Sequence, residues 1–156
     1  FTPLQLANYV ATLANGGTHY AVHLLKEVKS NDFSQVVEQY EPIVLNQLDI
    51  DPENLSAVTE GMLRVTTDGS AKAYFADLGV QVAAKTGSAQ VSSATESNAL
   101  FVCFAPYEDP EIALAIVVEK GGSGSLLASI AAEILEYYFS SGSGMETVTT
   151  ENTLLR

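Results

Sequence analysis

The sequence predicts an α+β domain in which an antiparallel sheet is backed by helices. Three observations predict it. Apolar residues recur at helical spacing in three separate segments, 6–14, 55–65 and 126–138. Three β-rich runs, 80–85, 99–105 and 112–119, follow one another with no helical pattern between them. Strands that run consecutively pair antiparallel, and helices collected on either side of them must bury their apolar stripes on the sheet.

Each element has a local reason. Thr2 and Gln5 form a capping-box pair with Pro3 at the first helical position, so a helix begins at the third residue. Leu6, Val10, Leu13 and Ala14 share one face of it, and Asn15-Gly16-Gly17 ends it. Residues 19–28 and 36–45 alternate and read as strands or extended arms around a Ser30-Asn31-Asp32 turn. Asp51-Pro52-Glu53 starts a second helix, with Leu55, Val58, Met62 and Val65 on one stripe and Asp68-Gly69 as its stop. A turn-rich stretch containing Ala73-Tyr74-Phe75 leads to a strand over 80–85, rich in β-branched residues.

The runs 99–105 and 112–119 flank Pro106-Tyr107-Glu108-Asp109-Pro110, which is loop chemistry, and predict an antiparallel hairpin buried on both faces. Gly121-Gly122-Ser123-Gly124-Ser125 breaks the chain. Leu126, Leu127, Ile130, Ala131, Ile134, Leu135 and Tyr138 then stripe a third helix, expected to cover the sheet. Residues 141–156 hold few apolar anchors and are expected to form a flexible tail.

Composition bounds the function. A chain of 156 residues, 47% hydrophobic and 17% charged, can bury a sizeable core. Seven basic against nineteen acidic residues give a net charge of −12, which repels phosphate backbones and disfavours nucleic-acid partners. No run of about 18 apolar residues could cross a bilayer. The one cysteine, Cys103, cannot form an internal disulfide and lies in the apolar run Leu100-Phe101-Val102-Cys103-Phe104, where a packed thiol is expected.

The chemistry-bearing signal is Lys85-Thr86-Gly87-Ser88 at the end of the predicted 80–85 strand. By itself Lys-Thr-Gly is a short pattern with a bland reading, a strand followed by a turn glycine. Its setting is more specific, because a hairpin and an amphipathic helix follow. That arrangement resembles the third box of the serine acyl-transferases that react with penicillin. Thr2-Pro3-Leu4-Gln5-Leu6-Ala7, Ala14-Asn15-Gly16-Gly17, Gly61-Met62-Leu63-Arg64-Val65 and Phe101-Val102-Cys103-Phe104-Ala105-Pro106 come in the order found in class B penicillin-binding proteins. The resemblance covers about residues 1–140 and identifies them as similar to the carboxyl-terminal part of that family's transpeptidase domain, a serine β-lactamase-like fold. Cys103 stands where relatives often carry glycine, a change expected to be absorbed as packing.

A strand ending in this box offers an edge to an extended peptide, and Gly87 would let the peptide approach closely. The resemblance implies the remaining roles. Lys85 is the catalytic residue, acting through its charge. Thr86, Gly87 and Ser88 are substrate-binding, with the two hydroxyls on the terminal carboxylate of a D-alanyl-D-alanine stem peptide, and the Ser88 N–H is one of two oxyanion donors. It further implies β-lactam antibiotics as ligands, no metal or other cofactor, and a parent protein anchored at the extracytoplasmic face of the bacterial cell membrane.

The family's Ser-x-x-Lys and Ser-x-Asn boxes do not occur in this sequence. With no nucleophile and one oxyanion donor fewer, a chain of these residues alone is expected to be inactive, since one such donor contributes about 3 to 4 kcal/mol in known hydrolases. Phe1-Thr2-Pro3 opens in mid-domain by the same resemblance. The missing amino-terminal part of the domain is then an expected partner, and the strand 112–119 an open apolar edge that drives self-association. Two other readings stay open: a non-catalytic binding or sensor module of the same fold, and a D,D-carboxypeptidase or serine β-lactamase relative.

Four further features have plainer readings. His19 and His23 lack a third metal ligand and read as solvated or half-buried. Glu38, Glu41, Asp49, Asp51 and Glu53 read as a solvated acidic face. The glycine-rich loop at 121–124 fits no phosphate-binding pattern and reads as a substrate-side loop or a plain connection. Tyr137, Tyr138 and Phe139 are expected to pack the last helix.

Overall fold

The computed structural model describes residues 1–141; the predicted tail lies outside them, apart from Ser141. Helix α1 spans Pro3–Ala14 and begins as the sequence requires. Thr2 Oγ1 accepts from the Gln5 N–H at 3.2 Å, and Gln5 Oε1 accepts from the Thr2 N–H at 2.8 Å. Gly16 and Gly17 follow the helix at φ of 83° and 100°, the left-handed region that glycine enters without strain.

The two arms form four short antiparallel strands. Thr18–Tyr20 (β1) pairs with Val44–Gln47 (β4), and Glu27–Lys29 (β2) pairs with Val36–Gln39 (β3). The predicted turn lies at the tip of the inner pair, where Asp32 accepts from the hydroxyls of Ser30 and Ser34.

Helix α2 spans Pro52–Thr67 with Asp51 as its cap, accepting from the Glu53 N–H at 2.8 Å. Of its predicted stripe Met62 is buried, whereas Val58 is 50% exposed. The stretch read as turn-rich contains one short helix, α3, Lys72–Phe75.

The main sheet has the order β5-β6-β7, with β5 Ala83–Ala89, β6 Asn98–Ala105 and β7 Ile112–Val118, all antiparallel. The predicted strand over 80–85 is thus displaced. Val80, Gln81 and Val82 form the approach, and the strand continues to Ala89 through the box. Pairing explains this: every residue from Ala83 to Ala89 faces a β6 partner, so the ladder overrides the weak strand tendency of Gly87 and Ser88.

The expected hairpin forms, but its strands are not both buried on two faces. Strand β6 is fully buried mainly on one face and at its Phe104-Ala105 end, and the β7 residues are half-buried up to an exposed Val118. A 3₁₀ turn at Gly124–Leu127 runs into helix α4, Ala128–Ser141. The stripe predicted for that helix divides. Leu127, Ala131 and Leu135 are buried, while Leu126, Ile130 and Ile134 are exposed by 61%, 44% and 39%.

Helices back both sheet faces. Ala84, Ala99, Phe101, Cys103 and Ala105 form one cluster with Phe75 of α3 and Leu127, Ala131 and Leu135 beside and on α4. Ala83 and Phe104 form the other with Val10 of α1 and Met62 of α2. Phe101 and Phe75 stack with ring centroids 6.1 Å apart.

Candidate functional site

The Lys85-Thr86-Gly87-Ser88 box lies inside β5, with Lys85 opposite Val102 and Ser88 opposite Ala99. Strand β5 ends its sheet, so its outer side is unpaired among the described residues. The packing of Gly124 reveals which backbone groups face that side. A methyl group on Gly124 would overlap the carbonyl oxygens of both Gly87 and Leu100, which are partners across the ladder. Two facing carbonyls converge on one point only where both turn inward between their strands. Backbone direction alternates, so Thr86 and Ser88 turn their N–H and C=O groups to the free edge.

Side chains alternate in the other sense, between the faces. Lys85 and Gly87 share the α1/α2 face with Ala83, and Thr86 and Ser88 share the α4 face with Ala84. The pleat therefore separates the ammonium from the two hydroxyls. Lys85 reaches around to the free edge: its Nζ donates to the Thr86 carbonyl at 2.6 Å. Lys85 and Ser88 are exposed, and Thr86 and Gly87 half-buried. Among the described residues Lys85 enters no ion pair, so its charge is available to an anion.

Two box residues have internal partners that the sequence did not reveal. Ser88 Oγ accepts a 3.3 Å hydrogen bond from the Gly124 N–H, across 36 residues of sequence. A side chain at Gly87 would meet Leu100 Cβ at 3.3 Å, so a packing constraint accompanies the close approach expected of it. The glycine-rich loop thus belongs beside the box. Its run of small residues made a loop legible but carried no sign of where the loop lands. Thr66 was missed altogether: its hydroxyl donates to the Val82 carbonyl at 2.5 Å and ties α2 to the segment entering β5.

The other candidates stay apart from this edge. His19 is half-buried in β1, and the exposed His23 lies beyond that strand with Nδ1 at 2.8 Å from the Leu25 carbonyl. Glu38, Glu41, Asp49, Asp51 and Glu53 are all exposed. Among the described residues no group of three metal-ligating side chains occurs. Burial pushes the Cys103 thiol up to about 12, which makes it inert. Phe139 packs against the core and meets Tyr138 edge-on at 5.1 Å, but Tyr137, expected to pack the last helix, is 70% exposed. No described helix is long and apolar enough to cross a membrane.

Known proteins resemble this chain in sequence and in fold. A family model described as the penicillin binding protein transpeptidase domain matches residues 1–136. Penicillin-binding protein 2A of Bacillus subtilis is 34% identical over 89% of this chain and 22% of its own length. The peptidoglycan D,D-transpeptidase MrdA of Haemophilus influenzae is 31% identical over 88% of this chain and 23% of its own length. Among solved structures, penicillin-binding protein 2B of Streptococcus pneumoniae superposes with a TM-score of 0.77 at 27% identity, covering 90% of this chain and 25% of that one. The chain therefore spans less than a quarter of the length of these two curated relatives.

Proposed function

The chain belongs to the penicillin-binding protein transpeptidase family, and from that premise we propose that it is the substrate-binding part of a peptidoglycan D,D-transpeptidase. One observation carries the proposal: the edge of β5, unpaired among the described residues, presents an ammonium that enters no ion pair among them and, two strand positions beyond Thr86, an outward-facing Ser88 N–H.

An extended stem peptide adds to that edge through the outward backbone groups of Thr86 and Ser88. Its terminal carboxylate lies near Lys85, where two unit charges ~4 Å apart at an effective dielectric of ~20 attract by roughly 4 kcal/mol before desolvation. The Thr86 and Ser88 hydroxyls donate to the same carboxylate from the α4 side. The Ser88 N–H accommodates the oxyanion formed when a serine attacks the penultimate D-alanine carbonyl. The C–N bond then breaks, D-alanine leaves, and the acyl-serine ester passes its acyl group to an amine of a neighbouring strand.

Neither Ser-x-x-Lys nor Ser-x-Asn occurs in this sequence, so the serine is supplied by another segment of the full-length protein. β-Lactams acylate the same serine, and the site works on the extracytoplasmic side of the bacterial membrane, where peptidoglycan is crosslinked. Strand β7 is the other edge of the sheet, and it pairs with a strand from the missing amino-terminal part of the domain. Isolated chains self-associate through that edge, and sedimentation showing only monomer at every concentration would contradict this.

Labelled penicillin tests the function. The expected result is no adduct on this chain alone and one adduct on the full-length protein, mapped by mass spectrometry outside these 156 residues. An adduct within this chain overturns the assignment of the nucleophile. A full-length protein that carries no adduct establishes instead the non-catalytic module that the missing boxes would also suit.

A further inference from the structure

The loop between β7 and α4 lies directly on the substrate strand. Gly122 donates its N–H to the Ser97 carbonyl at 2.8 Å, which pins the loop to the end of the β5–β6 connection. Two residues on, Gly124 is buried, and its N–H donates to Ser88 Oγ at 3.3 Å. A methyl group on Gly124 would overlap the Gly87 and Leu100 carbonyl oxygens and come within 2.8 Å of the Gly87 nitrogen. Only glycine allows the loop to lie this close.

A serine hydroxyl has one proton and two lone pairs. At Ser88 one lone pair is taken by the Gly124 N–H, and among the described residues the hydroxyl proton has no acceptor. That proton is left to donate away from the loop. A hydroxyl that accepts from an amide is also polarised into a better donor. Gly124 thereby decides which way the Ser88 hydroxyl works.

We propose that Gly124 is a positioning residue: its N–H holds the Ser88 hydroxyl as a donor aimed at a carboxylate lying along the free edge of β5. This inference rests on the reading of that edge as the stem-peptide site. The relay runs from the Gly124 N–H through Ser88 Oγ–H to the ligand carboxylate, and no bond is made or broken along it.

The test is a double-mutant cycle in the full-length protein, reading acylation by fluorescent penicillin resolved into apparent affinity and acylation rate. Gly124→Ala, whose methyl group forces the loop off β5 and so withdraws the N–H from Ser88 Oγ, and Ser88→Ala should each weaken apparent affinity about tenfold with the acylation rate nearly unchanged. The double variant should be no worse than Ser88→Ala alone. Gly61→Ala, at a site where a methyl group meets nothing within 4 Å, should leave both parameters unchanged. Additive losses, about a hundredfold in the double variant, overturn the proposal.

A measurement on the unsubstituted protein covers the case in which Gly124→Ala does not fold. The Gly124 amide proton resonance should shift on adding N-acetyl-D-alanyl-D-alanine and stay in place with its carboxamide. An amide indifferent to the carboxylate overturns the relay. If penicillin fails to acylate even the unsubstituted full-length protein, the transpeptidase reading falls and this inference with it. Acylation accompanied by additive losses removes this inference alone.

Discussion

The hydroxyl of Thr66 donates to the carbonyl of Val82, sixteen residues away, in a site closed to solvent. The same oxygen lies 2.9 Å from the Leu63 carbonyl, but one proton serves one strong bond, and the shorter partner takes it. The bond sets the height at which the chain leaves the turn after α3 and enters β5, three residues before Lys85.

Thr66→Val keeps the shape and removes the donor, leaving the Val82 carbonyl unsatisfied. The expected cost is about 1 to 3 kcal/mol in urea unfolding, with Thr66→Ser close to the unsubstituted protein. Hydrogen exchange should quicken at the start of β5. A Thr66→Val protein with unchanged stability and exchange would show that the bond holds nothing.

Leu135 and Leu126 belong to one stripe in the sequence, yet Leu135 is fully buried and Leu126 is 61% exposed. Leu135→Ala should cost about 2 to 5 kcal/mol, because it leaves a cavity against the sheet. Leu126→Ala should stay within about 0.5 kcal/mol. Equal losses at the two positions would contradict the burial of Leu135 and the exposure of Leu126.

Burial raises the Cys103 thiol from 9.0 to about 12. A group whose folded value is raised contributes stability that is complete below its unfolded value, so this contribution is intact below pH 9 and is lost as pH rises toward 12. Native protein should resist a thiol reagent at mildly alkaline pH and react at once when unfolded in guanidinium. Rapid labelling of the native protein would place the thiol at the surface.

Asp32 at the tip of the arm is depressed from 3.8 to about 2 by the Ser30 hydroxyl, then by the Ser34 hydroxyl and N–H. A depressed acid contributes order that is present above its unfolded value and lost as pH falls, here from 3.8 toward 2. Carbon-detected titration should find the low midpoint, and substituting both serines by alanine should return it to the ordinary carboxylate range. A midpoint unmoved by that change would assign the shift to another cause. Because Asp32 is fully exposed, the effect concerns the tip alone.

Legibility followed the range of the interactions. The start of α1 depends on Thr2 and Gln5, three residues apart, and the start of α2 on Asp51 and Glu53, two apart. Both were readable because capping is chemistry between near neighbours. The hairpin of β6 and β7 was readable because two apolar runs flank proline-rich loop residues. The true limits of β5 were not, because nothing within Gly87-Ser88-Ala89 favours a strand until Asn98, Ala99 and Leu100 pair with it.

The site divided in the same way. The sequence alone determined the chemical identities in the box, the charge balance and the absence of a Ser-x-x-Lys nucleophile, because these are properties of residues and their spacing. Tertiary structure decided that Thr86 and Ser88 turn to a free edge, that Lys85 reaches it from the opposite face, and that Gly124 lies against Gly87. The physical reason is that a period of two states which residues share a face or a side, whereas which side is covered depends on segments distant in the chain, and no local pattern encodes that choice.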